Sequence, residues 1–383
     1  MRLLGSSPRH PESLDAKAAR LDERLKRIAP GGFLTKPNGH SMLIEEIGPS
    51  LRRASLFDGP ADELSIASLE QVVASGIKAV RYVTEGGGRL DDISPHTLLS
   101  LESVVDAIRR VSWYVKDNDY VVSIRPDDNG LDACWRDTFK DERARVKTVC
   151  ASVAAIMIDG NPVGTGWLAA KDTLVTNAHV AFNLCYRKPG LSPGDPRDRW
   201  RMASGRAFIA AFRFEHGNIG KADKHIHVPI YDVLHVETSQ YPDLAVFRIA
   251  PPADLAMPVP LGLELASATP AAWSPDKTIY TVGHPIADLQ DDTTNVELAF
   301  GPLDGTKRFS PGKVISKIDT DVLAHDCSTT NGSSGSPIVT MGSTVPVALH
   351  YFGRPGMRNE AVLLSAWAAH PAIKAIQSGQ WQN

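Results

Sequence analysis

The chain has 383 residues, a formal charge of −3, 43% apolar residues and 22% charged ones. That apolar share fills a packed core and excludes a disordered chain, while the near-neutral charge excludes a protein that grips nucleic acid through a general basic excess. Four cysteines are too few for a disulfide scaffold, and no apolar run reaches the roughly 18 residues of a membrane-spanning helix.

The opening Met1-Arg2-Leu3-Leu4-Gly5-Ser6-Ser7-Pro8 lacks the apolar stretch of a secretion leader, so the expectation is a cytoplasmic protein with no membrane contact. Leu14, Ala18, Leu21, Leu25 and Ile28 recur at helical steps and stop at Pro30-Gly31-Gly32. Arg20, Arg24, Lys26 and Arg27 share that helix with Asp15, Asp22 and Glu23, which reads as a solvated face rather than a nucleic-acid patch. A second helix is expected from Leu64 to Val83, ending at the linker Gly86-Gly87-Gly88, and a third from Leu98 to Val111. Tyr120–Ile124 reads as a short strand.

Near residue 145 the period changes. Short β-rich runs follow at Val153–Ile158, Thr165–Ala169, Thr173–Thr176, Leu244–Ile249, Thr278–Val282, Val314–Ile318 and Pro346–Leu349. Gly/Pro turns separate them, and Ala361–Ile376 reads as a strand followed by a helix. The expected organisation is a mostly α-helical domain over 1–145 and a mainly β domain over 146–383, long enough for two barrels.

Three segments carry chemistry. They are Thr176-Asn177-Ala178-His179-Val180, then Asp243-Leu244-Ala245-Val246, then Asp326-Cys327-Ser328-Thr329-Thr330-Asn331-Gly332-Ser333-Ser334-Gly335-Ser336-Pro337. A serine hydroxyl becomes a nucleophile when a neighbouring base takes its proton. A histidine titrating near neutrality suits that task. A carboxylate fixes the tautomer of that histidine, and backbone N–H groups stabilise the oxyanion. Glycine two residues before the serine permits the sharp turn that aims those N–H groups.

These segments resemble the histidine, aspartate and nucleophile motifs of chymotrypsin-fold, trypsin-like serine proteases. They stand in that family's order, 64 and 91 positions apart. The resemblance spans about residues 146–376. It implies a double β-barrel with a C-terminal helix, with Ser334 as nucleophile, His179 as general base and Asp243 as its orienter. The N–H groups of Gly332 and Ser334 would form the oxyanion hole. No cofactor and no metal are implied.

Two departures from the digestive enzymes resemble the bacterial V8-like glutamyl endopeptidases. Ser333 stands where the activation aspartate would be, so no zymogen cleavage is expected. No cysteine lies in the Gly164–Leu168 strand. By the same resemblance Ser328 and Thr329 fall in the S1 pocket. His350 falls at a specificity position, and Tyr351, Phe352 and Gly353 form the substrate-pairing edge. The implied function is an intracellular serine endopeptidase cutting after Glu or Asp, with a small neutral S1 pocket as the other reading. Its partner is a protein or peptide substrate. A regulatory protein is expected to act through residues 1–145, which on other readings cover the cleft or simply pack. The competing functions are a catalytically silent scaffold and an esterase on the same triad.

Other groups receive plainer readings. His225-x-His227 has a zinc-compatible spacing on one strand face. No cysteine or acid completes it at short range, so a solvated face is expected. Cys327 reads as a reduced wall residue near S1, and Cys134, Cys150 and Cys185 as buried thiols.

Overall fold

The computed structural model describes residues 112–121, 133–187, 199–221, 226–239, 241–263, 273–274, 277–286, 303–354 and 358–381. The three expected N-terminal helices, residues 122–124 of the expected strand, the side chain of Cys134 and His225 lie outside this set.

Trp113–Lys116 (β1) and Asp119–Val121 (β2) form an antiparallel hairpin. Its turn residues, Asp117 and Asn118, have φ of 53° and 61°. A two-residue hairpin turn needs that left-handed pair, and Asp and Asn tolerate it better than most residues. Helices Ala133–Phe139 (α1) and Arg143–Ser152 (α2) lead into the first barrel.

That barrel contains Val153–Ile158 (β3), Asn161–Ala170 (β4) and Thr173–Thr176 (β5). The one-turn helix Ala178–Ala181 (α3) follows, then a side ribbon of Cys185–Arg187 (β6) and Trp200–Met202 (β7). Phe208–Ala211 (β8), His227–Val236 (β9) and Ala245–Ile249 (β10) close the ring in the order β10-β5-β4-β3-β8-β9. Ile156, Leu168, Leu174, Val228 and Phe247 fill its interior.

The second barrel is Thr278–Gly283 (β11), Arg308–Lys317 (β12), Val322–His325 (β13), Pro337–Thr340 (β14), Pro346–Arg354 (β15) and Arg358–Leu363 (β16). Its order is β11-β14-β15-β16-β13-β12, and the β11–β12 pairing closes it. Ile279, Val314, Leu323, Ile338 and Leu363 fill it. Helix Pro371–Ser378 (α4) ends the described chain and buries Ile373 and Ile376. The architecture is mainly β, with two closed six-stranded antiparallel barrels and a C-terminal helix. This is the chymotrypsin-like fold that the sequence led us to expect.

The hairpin belongs to the same compact unit as both barrels, which takes in residues 110–128 and 135–383. β1 pairs with β12, Trp113 opposite Phe309, and so adds a strand beside the second barrel. Trp113 stacks on Tyr120 at 5.2 Å and on Phe309 at 5.7 Å, and Phe139 meets Phe309 edge-on at 5.2 Å. The Tyr120 hydroxyl donates to the Phe139 carbonyl at 2.9 Å.

The turn is pinned as well. The Asn118 N–H donates to one oxygen of the Glu215 carboxylate at 3.0 Å, and the other oxygen lies 3.3 Å from Lys307 Nζ. Lys307 and Glu215 are fully buried, a placement tolerable only because Lys307 also donates to the carbonyls of Cys150 and Phe212. Trp113→Ala is therefore expected to cost about 3–5 kcal/mol, the range for an aromatic truncated inside a packed core. Denaturant unfolding measures it. An unchanged midpoint would mean that the hairpin lies outside the cooperative unit.

Candidate active site

β5 ends at Thr176, and the chain turns through Asn177 into α3, whose second residue is His179. β10 pairs with β5, Ala245 opposite Thr176, so Asp243 at the entrance to β10 lands beside His179. Asp243 Oδ2 lies 2.6 Å from His179 Nδ1, and Oδ1 accepts the His179 backbone N–H at 3.0 Å. Asn177 Nδ2 donates to the Asp243 carbonyl at 2.8 Å and fixes the other side of the loop. The carboxylate thus grips both the ring and the backbone of one residue. With Nδ1–H directed at it, the imidazole carries its free lone pair on Nε2. The His179 side chain is 46% exposed and that of Asp243 is 14% exposed, so the ring faces the cleft while its partner is shielded.

Ser334 sits on the loop between β13 and β14, whose peptides from Asn331 to Gly335 are held by hydrogen bonds. The Asn331 carbonyl accepts from the Ile286 N–H at 2.7 Å. The Gly332 carbonyl accepts from Thr165 Oγ1 at 2.7 Å, and the Ser333 N–H on the opposite side of that peptide donates to the Thr330 carbonyl at 3.0 Å. The Ser333 carbonyl accepts from the Ser336 N–H at 3.0 Å. The Ser334 carbonyl accepts from the Thr165 N–H at 2.9 Å, and the Gly335 N–H donates to the His350 carbonyl at 2.9 Å. In a trans peptide C=O and N–H point opposite ways. Two N–H groups of this run, those of Gly332 and Ser334, therefore turn away from carbonyls that are already held. Among the described residues neither has a protein acceptor.

Glycine is required at two of these positions. Gly332 has φ +79°, and a Cβ there would meet the His284 carbonyl at 2.4 Å. Gly335 has φ +90°, and a Cβ there would meet the Thr165 carbonyl at 2.0 Å. Thr165 is the clamp. It is fully buried, its hydroxyl also accepts from the His284 N–H at 2.9 Å, and its carbonyl accepts from Thr176 Oγ1 at 2.7 Å. One residue of the first barrel thus ties the Ser334 loop of the second barrel to the strand that delivers His179. The sequence contained Thr165 within Gly164-Thr165-Gly166 but gave no reason to assign it this part. Ser333 Oγ accepts from the Thr330 N–H at 3.3 Å, a bond made within the loop itself.

The residues expected at the S1 pocket are distributed unevenly. Ser328 is buried, and its hydroxyl has no partner among the described residues. Thr329 is half-buried, and Gly353 lies beside the Asn359 carboxamide, whose Oδ1 would be 2.4 Å from a Cβ at 353. Asn359 is held there by donating to the Cys327 carbonyl at 2.6 Å. Phe352 is exposed. The Tyr351 hydroxyl donates to Glu360 Oε2 at 2.6 Å and lies 3.1 Å from the Tyr241 hydroxyl.

His350 points inward. It is 3% exposed, and its Nδ1 lies 3.2 Å from Nε2 of the buried His325. Burial, with the neighbouring charge of His179, pulls His350 down to about 3, against a weaker upward pull from the Glu360 carbonyl. Burial also holds His325 well below the usual histidine range. Both rings are neutral at neutral pH. His325 Nδ1 has no partner among the described residues, so His325 carries its proton on Nε2 and donates it to His350 Nδ1. His325, Asn359 and Glu360 escaped sequence reading because no local motif marks them.

Cys150, Cys185 and Cys327 are buried free thiols. Burial raises Cys327 well above the ordinary thiol range, which makes it a wall residue and a poor nucleophile. Among the described residues no helix is long and apolar enough to cross a membrane.

Residues 164–348 match the family described as trypsin-like peptidase domain. No curated protein matches the chain. Similar solved structures include mouse neuropsin, a serine protease of the limbic system, at 13% identity and a TM-score of 0.39, covering 58% of this chain and 93% of that one. Another is a mutant of human heparin binding protein, at 13% identity and a TM-score of 0.39, covering 57% of this chain and 88% of that one. By its family match the segment 164–348 is similar to a trypsin-like peptidase domain.

Proposed function

We propose that this protein is a serine endopeptidase that cleaves protein or peptide substrates through an acyl-enzyme. The observation that carries the reading is the double grip of Asp243 on His179, through Nδ1 at 2.6 Å and the backbone N–H at 3.0 Å. It leaves Nε2 as the base on the exposed side of the ring. Ser334 attacks the substrate carbonyl while His179 takes its proton. The carbonyl oxygen becomes an oxyanion between the N–H groups of Gly332 and Ser334. His179 returns the proton to the leaving amine, and the carboxylate of Asp243 stabilises the imidazolium in between. Water then repeats the sequence on the acyl-enzyme. The edge at Tyr351–Gly353 pairs with substrate backbone as an added strand.

The Ser333–Thr330 bond supports a loop that organises itself without a freshly cut N-terminus. Regulation through the N-terminal region is part of the proposal. A cut at residue 140 would remove Trp113, Tyr120 and Phe139 from the core, so the appropriate truncation ends at 109.

Of the two S1 readings, the placement of His350 supports the neutral pocket. Its Nδ1 is taken by His325, and the Glu360 carbonyl stands beside the ring. A P1 carboxylate would have to displace that carbonyl and also charge a ring held near 3. The test is a fluorophosphonate label followed by a peptide library. The expected result is a single adduct on Ser334 and cleavage after small neutral residues. Cleavage mainly after Glu or Asp would restore the acidic reading. Absence of labelling would favour the silent scaffold, and labelling with ester but no peptide hydrolysis the esterase.

A further inference from the structure

β9 runs out toward Asp243 at the point where α4 begins, and three metal-ligating side chains meet there. His235 lies near the end of β9, Glu237 follows the strand, and His370 caps α4. We propose that His235, Glu237 and His370 form a binding site for a zinc-like divalent transition-metal ion.

The carboxylate is built as a ligand. Glu237 Oε1 accepts from the Thr238 N–H at 2.8 Å, the Ser239 N–H at 2.9 Å and the Ser239 hydroxyl at 2.8 Å. These bonds fix its orientation, as outer-shell partners of metal carboxylates do. Its other oxygen, Oε2, faces two imidazoles, 3.0 Å from His370 Nε2 and 3.5 Å from His235 Nε2. The ligand atoms of all three residues lie within 4.8 Å of one another.

Donors held at zinc bond lengths in a tetrahedron are separated by about 3.3 Å. The two distances to Glu237 bracket that value, and the third pair lies within 4.8 Å, so closure needs the two rings to approach each other. His235 Nε2 is buried and has no hydrogen-bond partner among the described residues, a nitrogen that a metal would satisfy. Two imidazoles and one carboxylate suit zinc and its neighbours and do not suit the all-oxygen preference of calcium or magnesium. Both rings keep some exposure, 27% for His235 and 15% for His370, so the site is not sealed from solvent.

Binding has one structural consequence. His370 Nδ1 now accepts the Ala372 N–H at 3.3 Å and caps α4. A metal on Nε2 shifts the remaining ring proton to Nδ1, and that long cap bond is exchanged for a coordinate bond. The ion would then link the C-terminal helix to the loop that presents Asp243. Sequence spacing drew attention to His225-x-His227; the fold assembles a different set, with one member more than 130 residues further along the chain.

Chelator-treated full-length protein titrated with zinc, and with cobalt(II) as a coloured probe, tests the site. His370→Asn removes the imidazole but keeps a side-chain oxygen that can accept from Ala372, so α4 stays capped. Glu237→Gln removes the carboxylate charge, and His227→Ala, on an exposed strand position, is the control. The expected result is one zinc per chain, the visible absorption of four-coordinate cobalt, and a zinc-dependent rise in melting temperature. His370→Asn and Glu237→Gln should each weaken zinc by at least ~10-fold and lose the cobalt spectrum, with His227→Ala unchanged. Stoichiometric zinc absent from the wild type, or affinity untouched by both substitutions, overturns the site. Neither outcome bears on the peptidase proposal.

Discussion

Ser334→Ala is expected to lower kcat for peptide hydrolysis by about 10⁶-fold, the scale seen when a serine protease loses its nucleophile. Folding should be unaffected. Ser334 is only partly buried, and the loop is held by backbone bonds and by Thr165, not by the serine hydroxyl. The residual rate should remain above that of water, because the Gly332 and Ser334 N–H groups survive the substitution. Single-turnover hydrolysis of a chromogenic peptide measures it. A variant with wild-type turnover would remove Ser334 from the chemistry.

Asp243→Asn should cost about 10⁴-fold in kcat, and its cause is a tautomer. The His179 backbone N–H needs an acceptor at 3.0 Å, which the amide oxygen of the variant would supply. The amide NH₂ then faces His179 Nδ1, where the carboxylate stood at 2.6 Å. Nδ1 must accept, the ring proton moves to Nε2, and the nitrogen proposed as the base loses its lone pair. Fluorophosphonate labelling at Ser334 should slow in parallel with peptide hydrolysis, because both need the same base. Full labelling speed in Asp243→Asn would contradict this assignment of the base.

What the sequence disclosed follows the range of each interaction. The His179, Asp243 and Ser334 segments are legible because each is a short local pattern. Val153–Ile158 is legible because it is continuously apolar, and Thr173–Thr176 because β-branched residues surround an apolar pair. β12 was read as Val314–Ile318 but begins at Arg308. Its first half carries a buried Arg308, Ser310, Pro311 and Gly312, which no apolar periodicity would select. β9 alternates exposed and buried residues through polar positions, so only its start, at His227, is legible as a strand. The wiring of the oxyanion loop was out of reach, because Thr165 and Gly332 lie 167 positions apart. The inward turn of His350 toward His325 depends on barrel closure, which no motif records.

The hairpin at residues 113–121 also has a meaning in time. Its strand partner β12 lies far down the chain, and Ser112 and Ser310, which bond across the junction at 2.9 Å, are 198 positions apart. During synthesis β1 and β2 leave the ribosome before either barrel, with Trp113 and Tyr120 lacking Phe309, and wait for the whole first barrel and β11 to emerge. Such long-range pairing is slow and leaves apolar surface open to wrong partners. The earliest described strands of this protein thus cannot take their place until β12 has been made.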